Sequence, residues 1–433
     1  MFRIPEVINR FTFACAVALA ICAPFGAAQA STFKVLYDFN GGSDGQTPSG
    51  SLIADSSGNL YGMTHEGGGG PCPGGVGCGT LFKLAPDGTE SVLYSFQGGN
   101  DGAFPNGGLI MDPSGNLYGT TLEGGGGCNC GTIFEFTTTG QEDVRYAFKG
   151  GRDGANPDAG LARDNTGNLY GVTAIGGDHA CQCGTVFEFT ASGSENILYR
   201  FLGAPDGATP TASLIMDSSG NLFGTTAFGG LICSQVFSHG CGTAFEVTAG
   251  GTEMVLYTFC QQPNCADGLV PYSNLTLDLT SGDFYGTTVS GGRDCPPFGC
   301  GTVYKLRPDM RETVIHAFQG VTVDGLNPLA GVTLDEAGNL YSAACGSSIE
   351  CQTVLGRKCA KSCVNGDVYT IHIADGERAH DAFDVIHTFK GKKGTNPTSP
   401  LLLYNGNLYG TTTFGGTHEC VSQGCGVVFE LTP

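Results

Sequence analysis

The stretch GLIMDPSGNLYGTTLEGGGGCNCGTIFEFTTTGQEDVRYAF, residues 108–148, contains four short β-prone segments separated by turn signals. The first segment, 108–112, precedes a D-x-x-G-N turn in which Gly115 is expected to take a positive φ before NLYGTT. A glycine-rich loop leads to 131–137, whose aromatic and β-branched residues predict a strand, and TTGQE then leads to 143–148. Four short antiparallel strands in succession are typical of one β-propeller blade.

The same unit recurs along the chain at a spacing of 52 to 68 residues. The string GNLYG, or a degenerate copy of it, surrounds seven aromatic residues: Tyr61, Tyr118, Tyr170, Phe223, Tyr285, Tyr341 and Tyr409. A second string, VLYxF in its commonest form, ends at seven phenylalanines: Phe39, Phe96, Phe148, Phe201, Phe259, Phe318 and Phe389. Self-similarity at a fixed spacing indicates a repeat architecture, here with seven units.

The two ends of the chain predict how the ring is closed. FKVLYDF at 33–39 is a fourth-strand motif without three preceding strands, whereas GVVFELTP at 426–433 ends after a third strand. Pairing these segments would complete the last blade and remove free sheet edges. We therefore predict an all-β fold, a seven-bladed β-propeller with four antiparallel strands per blade. The expected blades span about 51–96, 108–148, 160–201, 213–259, 274–318, 331–389, and 400–432 completed by 33–39.

The first thirty residues have the features of a secretory signal peptide. Arg3 and Arg10 precede an apolar run from Phe11 to about Pro24, and AAQA at 27–30 supplies a small-residue cleavage pattern. The run is shorter than a membrane-spanning helix requires, and no second such run follows. We expect cleavage near Ala30, secretion to the periplasm or the medium, and a mature chain, 31–433, that forms a single propeller domain.

Composition limits the classes of partner. The chain carries a formal net charge of −20, with 14% charged residues and 72 glycines, which is typical of a turn-rich β protein. The excess of acidic residues makes nucleic acid and anionic membranes poor partners. We expect a monomer whose partner, if any, is an extracellular glycan, a small molecule or a protein.

Cysteines recur in the loop between the second and third strands of each unit. With Cys15 and Cys22 in the signal peptide, the remaining 18 form an even set in an exported chain, which favours disulfides. The expected bridges involve Cys72, Cys78, Cys128, Cys130, Cys181, Cys183, Cys233, Cys241, Cys260, Cys265, Cys295, Cys300, Cys420 and Cys425, and in a Cys-rich insertion at 345–365 Cys345, Cys351, Cys359 and Cys363. Zinc is the alternative, since His65, His179, His239 and His418 occupy the same loops. The variable cysteine spacing argues against a repeated metal site, so we expect none.

These motifs resemble those of the bacterial choice-of-anchor tandem-repeat GloVer family. The resemblance rests on GNLYGTT, on the glycine-rich loop with CGT, on VFEFT and on VLYSFQGGNDG, and it covers nearly all of residues 33–433. It implies a secreted bacterial repeat protein and carries no established activity or catalytic residues. The chain ends at Pro433 without a sorting signal or a hydrophobic tail, so we expect release rather than surface attachment.

The connections between blades carry the motif D-G-x-x-P. It occurs six times, at Asp44, Asp101, Asp153, Asp206, Asp267 and Asp324, and the seventh copy has Lys393. Six carboxylates around a channel mouth would suit Ca²⁺ or a cationic ligand. The alternative is that each aspartate caps its own turn, which agrees better with one acid per loop.

Three further residues are candidate binding groups on the rim and channel. Arg163 stands in a first strand where the other copies have Ala, Met or Leu, and Glu66 and Glu123 occupy matching loop positions in adjacent blades. Two glutamates at such positions would suit glycoside chemistry, but no established catalytic motif is present. In the outermost strand, His316 and His387 replace tyrosine, and we expect them to be solvated. The sequence therefore favours a non-catalytic binding or structural module, with a glycan- or lactone-acting hydrolase or lyase as the alternative.

Overall fold

Seven four-stranded antiparallel sheets make up the computed structural model of the chain, which confirms the predicted seven-bladed β-propeller. The structure describes residues 31–178, 180–233, 239–292, 295, 299–320, 323–345, 365–373, 381–420 and 423–433. Over these ranges there is no α-helix, and hence no helix that would span a membrane. The predicted signal peptide lies outside the described residues, as does most of the Cys-rich insertion.

The strands of each blade follow one another along the chain, and each pairs with the next. They are Gln46–Ala54, Leu60–Glu66, Thr80–Leu84 and Glu90–Ser95 in blade 1; Ile110–Met111, Leu117–Thr121, Thr132–Phe136 and Glu142–Ala147 in blade 2; Ala162–Arg163, Leu169–Thr173, Thr185–Phe189 and Glu195–Arg200 in blade 3; Ile215–Met216, Leu222–Thr226, Thr243–Val247 and Glu253–Thr258 in blade 4. The others are Thr276–Leu277, Phe284–Thr288, Thr302–Leu306 and Glu312–Ala317 in blade 5; Thr333–Leu334, Asn339–Cys345, Asn365–His372 and Ala382–Lys390 in blade 6; Leu402–Tyr404, Asn407–Thr412, Val427–Thr432 and, from the N-terminus, Thr32–Asp38 in blade 7.

Minor elements lie in the loops and connections. They are a two-stranded pair, Gly207–Ala208 with Phe228–Gly229, and the short 3-10 helices Gly42–Asp44, Pro73–Gly75, Gly151–Asp153, Pro263–Cys265 and Gly391–Lys393.

The N-terminal strand closes the ring as the sequence predicts. Thr32–Asp38 pairs antiparallel with Val427–Thr432, with Phe33 opposite Leu431. This pairing has the same register shift between third and fourth strands that the other six blades show. The closing strand therefore takes the place that a continuous chain fills elsewhere.

The first strands of blades 2 to 6 have only two residues each, which is shorter than the sequence suggests, whereas that of blade 1 has nine. In blade 2 only Ile110–Met111 is in the ladder, because the residues before it run against the neighbouring blades. A Cβ on Gly107 would lie 2.4 Å from the carbonyl carbon of Ala159 in blade 3. The inner ends of the blades are thus packed against one another around the axis.

Aromatic side chains hold adjacent blades together. Each fourth-strand phenylalanine of the VLYxF string is almost fully buried and packs edge-on against an aromatic ring of the next blade's third strand. The seven pairs have ring centroids 4.9 to 5.4 Å apart: Phe39–Phe82, Phe96–Phe134, Phe148–Phe187, Phe201–Phe245, Phe259–Tyr304, Phe318–Tyr369 and Phe389–Phe429. Edge-to-face packing of this kind adds to the stabilisation from burial alone.

The loops after the second strands and the connections between blades share one face of the ring. Isolated backbone bridges join them, for example Ala103 with Glu123 and Ala155 with Ile175. We call this the loop face. The predicted candidate residues Glu66 and Glu123 lie at this face.

Candidate binding site in the axial cavity

A cavity of about 670 Å³ opens on the propeller axis at the loop face. All seven blades contribute to its wall through the residue that follows the proline of each connection. These residues are Ser49, Asn106, Asp158, Thr211, Tyr272, Leu329 and Thr398. We call this space the axial cavity. Its volume falls in the range of cavities that hold small-molecule ligands.

Asp158 is the carboxyl group placed deepest in this wall. It follows Pro157 at the start of blade 3, and Asn106 of blade 2 donates a hydrogen bond of 2.7 Å from Nδ2 to its Oδ1. Burial raises the pKa of Asp158, although the Asn106 hydrogen bond and the nearby His65 partly oppose this. A carboxyl group in this state is suited to exchange a proton or to accept a ligand's donor.

His65 lies beside Asp158 in the same wall, near the end of the second strand of blade 1. Burial lowers the pKa of its imidazole, while the charges of Glu66, Asp158 and Glu123 partly restore it. Its Nδ1 atom is buried without a hydrogen-bond partner. A neutral imidazole with one unsatisfied nitrogen can serve as donor or acceptor to a ligand.

Blades 4 and 5 provide hydroxyl groups and an aromatic ring. The buried Thr211 hydroxyl lies against Tyr272, whose pKa is raised by burial and by the charge of Asp158, while the contact with Thr211 partly opposes the rise. Deeper in the wall, the Ser213 amide donates 2.8 Å to Oδ1 of Asn274, and the Ser213 hydroxyl accepts from the Gly160 amide. These inter-blade hydrogen bonds fix the wall, so its free polar atoms are held in place.

The wall is polar and acidic on one side. Its lining residues include Glu66 and Asp158 but no lysine or arginine among those that the structure describes there. Leu329 and Phe414 of blades 6 and 7 add apolar surface among polar, uncharged neighbours such as Thr398. Such a wall suits a small molecule that presents hydroxyl or amine donors to one side, and it disfavours an anion.

The six D-G-x-x-P aspartates lie on the outer part of the connections rather than in the axial cavity. Each accepts a hydrogen bond of 2.6 to 2.8 Å from a backbone amide four to six residues earlier. Five also accept from the fourth-strand tyrosine, as Asp101 does from Tyr94 at 2.8 Å, and Asp324 pairs with His316. These contacts agree with turn capping.

The other predicted residues lie in separate surroundings. Glu66 is in the cavity wall and accepts a hydrogen bond from Gln46, whereas Glu123 accepts one from Asn129 in its own loop. Both glutamates lie near His65, whose pKa their charges raise. Arg163 is the last residue of its strand, next to the D-x-x-G-N turn, where Nη1 lies 3.5 Å from the Asp164 carbonyl oxygen. It lies at the opposite end of this strand from Asp158.

Disulfides close the loops on the loop face. The described pairs are Cys72–Cys78, Cys128–Cys130, Cys181–Cys183, Cys233–Cys241, Cys260–Cys265, Cys295–Cys300 and Cys420–Cys425. Cys345 is also disulfide-bonded, whereas Cys351, Cys359 and Cys363 lie outside the described residues, as does His179. Across the described ranges, one cluster of three potential metal ligands occurs, Cys233, Cys241 and Cys260, and each of these sulfurs is in a disulfide.

The predicted site residues do not include Asp158, Thr211 or Tyr272. Their position follows an invariant proline in every unit, yet its residue type differs from blade to blade. The residue after a fixed proline changes type from unit to unit. This variation is the sequence signal from which the cavity wall could have been found.

Comparisons with known proteins bear on the fold. A family model described as the Gloeobacter/Verrucomicrobia repeat matches residues 25–181, 72–295 and 129–348. No curated protein sequence matches the chain. The extracellular domain of a putative hybrid two-component system from B. thetaiotaomicron is similar in structure, with a TM-score of 0.53 and 11% identity over 92% of this chain. The chain spans 39% of that protein's length. A PQQ-bound aldose sugar dehydrogenase from Streptomyces coelicolor matches with a TM-score of 0.44 and 12% identity, over 93% of this chain and 98% of the other.

Proposed function

The chain belongs to the Gloeobacter/Verrucomicrobia repeat family, and on that basis we propose that it is a secreted binding module that takes a small polar molecule into the axial cavity. The observation that carries this proposal is the axial cavity of about 670 Å³, whose wall brings together the carboxyl group of Asp158, the imidazole of His65 and the ring of Tyr272. A cavity of this size with a few convergent polar groups of shifted pKa is typical of a small-molecule site.

The charge of the wall narrows the ligand class. Asp158 and Glu66 supply acceptors, and the described lining contains no lysine or arginine to hold an anion. Tyr272 adds an aromatic ring on which the apolar side of a ligand can rest. The preferred ligand is therefore a neutral polyol, such as a sugar, or a small amine.

Secretion agrees with the density of disulfides, because such bonds persist in oxidising compartments. The described disulfides occur in six of the seven loops and in one connection, and Cys345 of the remaining loop is also bonded. We propose that the mature chain acts as a monomer. Size-exclusion chromatography with light scattering tests this, since a dimer would elute at twice the mass.

A calorimetric binding screen of sugars and amines on the mature chain tests the proposed function. We expect a compound from this set to bind, and Asp158→Asn and Tyr272→Phe to weaken its binding at least tenfold. Arg163→Ala is the matched control, because Arg163 lies at the other end of the strand that Asp158 precedes. Binding that Arg163→Ala reduces as much as Asp158→Asn, or no binding in the set, would contradict the proposal.

Hydrolysis of a glycan or a lactone is the second candidate function. It is favoured by one observation, the raised pKa of Asp158 in a wall that also holds Glu66 and His65, because a general acid must be protonated near its working pH. Turnover assays with chromogenic glycosides and lactones test it. An enzyme is expected to lose at least a hundredfold in kcat when Asp158 becomes Asn, whereas a pure binding module shows no turnover in the wild type.

A further inference from the structure

Five junctions between neighbouring blades bring two carboxyl groups and a tyrosine together. The aspartate and the tyrosine come from the end of one blade, and a glutamate from the start of the next blade's fourth strand completes the group. The five groups are Tyr37–Asp44–Glu90, Tyr94–Asp101–Glu142, Tyr146–Asp153–Glu195, Tyr199–Asp206–Glu253 and Tyr257–Asp267–Glu312. We call them the acid junctions.

If both carboxyl groups of an acid junction are ionised, the junction has too few hydrogen-bond donors for its acceptor oxygens. In the junction of blades 2 and 3, Oδ1 of Asp153 accepts from Tyr146 at 2.7 Å and Oδ2 accepts from the Lys149 amide at 2.6 Å. The single hydroxyl proton of Tyr146 is thereby used. Glu195 places Oε2 3.3 Å from the same hydroxyl, and its Oε1 is buried without a partner.

The same deficit recurs in every acid junction. Each of the five glutamates has an Oε1 atom that is buried without a hydrogen-bond partner: Glu90, Glu142, Glu195, Glu253 and Glu312. An ionised carboxylate can only accept hydrogen bonds, so two carboxylates side by side cannot satisfy one another. A protonated glutamate can donate to the aspartate or the tyrosine oxygen, which would remove the deficit.

We propose that each acid junction holds one proton between its glutamate and its aspartate, directly or through the tyrosine hydroxyl, so that five of the seven blade junctions are stabilised in mild acid and destabilised by alkali. Two carboxyl groups in contact do not ionise together without a large cost, and one proton is the smallest group that relieves it. A divalent metal ion at Asp153 would compete with the Tyr146 and Lys149 hydrogen bonds that engage both of its oxygens, whereas a proton on the glutamate leaves them in place.

The titration behaviour of the glutamates agrees with this geometry. Burial, and then the charge of the facing aspartate, raises the pKa of Glu90, Glu142, Glu195 and Glu253 to about 7 and that of Glu312 to about 8.

Other charged groups face these carboxyl groups. Lys149 opposes the rise in the pKa of Glu195, whereas Asp143 adds to the rise at Glu142. The charge of Glu312 in turn raises the pKa of the buried Tyr304. The facing tyrosines oppose it in part by hydrogen bonding. None of these groups reverses the rise in the pKa of the glutamates.

The direction of the pH effect follows from these pKa values. Because the folded chain holds the glutamate protons more tightly than the ordinary value of 4.5 implies, ionisation favours the unfolded chain. The contribution of the acid junctions to stability is complete below about pH 4.5. It is lost as the pH rises through about 7 to 8.

The remaining two junctions provide an internal comparison. In the junction of blades 5 and 6, His316 stands at the tyrosine position and Phe383 at the glutamate position. In the junction of blades 6 and 7, His387 and Phe33 take the same two positions. Each pair is stacked, with ring centroids 3.9 and 3.8 Å apart. Glutamate and tyrosine are thus replaced together, which indicates that they form one unit. The expectation that these histidines are solvated was wrong, since both are partly buried in the stack.

Calorimetry of the mature chain between pH 4.5 and 9 tests the proposal. We expect the melting temperature to fall from pH 5 to pH 8. Glu195→Gln, whose amide can donate to Asp153 at any pH, should raise the melting temperature at pH 8 by about 1–2 °C and leave it unchanged at pH 5. Combining it with the same change at Glu90, Glu142, Glu253 and Glu312 should remove most of the alkaline fall.

Glu188→Gln is the matched control in the same blade. Glu188 accepts hydrogen bonds from Tyr170 and Asn196, both at 3.1 Å, so its carboxylate is already satisfied and the substitution should bring no gain at pH 8. Carbon-13 NMR titration gives a second readout, in which Asp153→Asn should lower the Glu195 midpoint from about 7 towards 4.5. A stability loss with Glu195→Gln at pH 8, or recovery of the alkaline fall by millimolar Ca²⁺ or Mg²⁺, would overturn the shared-proton interpretation.

Discussion

The two glycines of GNLYG have different physical roles. Gly115 has a φ of +88° in the hairpin turn, a backbone region that side chains disfavour. Gly119 lies in the strand itself, where a Cβ would come within 2.7 Å of Cζ of Phe134, the ring that packs against Phe96 of the previous blade. The second glycine therefore makes room for the contact that joins two blades.

Gly119→Ala should destabilise the protein by about 1–3 kcal/mol, because the added methyl group displaces the Phe134 ring from a close-packed junction. Gly127→Ala, in a loop of the same blade where a Cβ meets no atom within 4 Å, should be nearly neutral. Urea unfolding of both variants measures the difference. Equal stability of the two variants would mean that the ring packing tolerates the methyl group.

At the scale of the element, six of the seven connections are turns whose aspartate accepts hydrogen bonds at both carboxylate oxygens. In the connection after blade 1, Asp101 is bound by Tyr94 and by the Gln97 amide. An oxygen that already accepts a short hydrogen bond is a poor free ligand for a cation. The connection is thus complete without an ion.

Millimolar Ca²⁺ should consequently shift the melting temperature of the protein by less than about 1 °C, since a ligand stabilises only by binding the native state. The measurement is calorimetry at pH 5, with Mg²⁺ as the control for ionic strength. A rise of several degrees with Ca²⁺ that Mg²⁺ does not reproduce would show that the aspartates bind calcium.

The loops after the second strands are closed by disulfides over short spans, such as Cys128–Cys130. Closing so short a loop removes little chain entropy, so each bond contributes at most about 2 kcal/mol. The loops are therefore held in shape by these bonds more than the ring is stabilised by them.

Thiol titration of the unfolded, unreduced mature chain should find close to none of its 18 cysteines free. Reduced protein, unfolded in the same way, supplies the reference for the full count. A count near twelve, together with stoichiometric zinc, would show that metal rather than disulfide chemistry closes the loops.

At the scale of the whole molecule, the ring is closed by a strand from the opposite end of the chain. Phe39, at the end of this closing strand, forms the same edge-on ring pair with Phe82 of blade 1 that Phe96 forms with Phe134 of blade 2. Both fourth-strand phenylalanines are fully buried. The closing strand therefore joins blade 7 to blade 1 by the same contact that joins blade 1 to blade 2.

Phe39→Ala and Phe96→Ala should accordingly destabilise the protein alike, by about 3–5 kcal/mol each. Deleting residues 31–40 should cost more, because it also exposes the edge of Val427–Thr432. Thermal unfolding followed by circular dichroism compares the three proteins. A deletion variant that melts with the wild type would refute the closure.

The fold was predictable because every unit repeats the same turns, strands and buried phenylalanines, and because the two chain ends are complementary. The cavity wall was not, since Asp158 and Tyr272 occupy a position whose residue type differs from unit to unit and so forms no motif. The acid junctions were hidden for another reason. Tyr146 and Glu195 are 49 residues apart, and only the end-to-start arrangement of the outer strands brings them together.

The two stacked junctions have a consequence for how the ring opens. They lie on either side of blade 6, so the five acid junctions form one uninterrupted arc through the other blades. A rise in pH then destabilises only the five acid junctions, while the two junctions that flank blade 6 keep their ring stacking. Hydrogen exchange, corrected for its intrinsic pH dependence, would show protection receding first along that arc, with blade 6 as the last anchored segment of an opening ring.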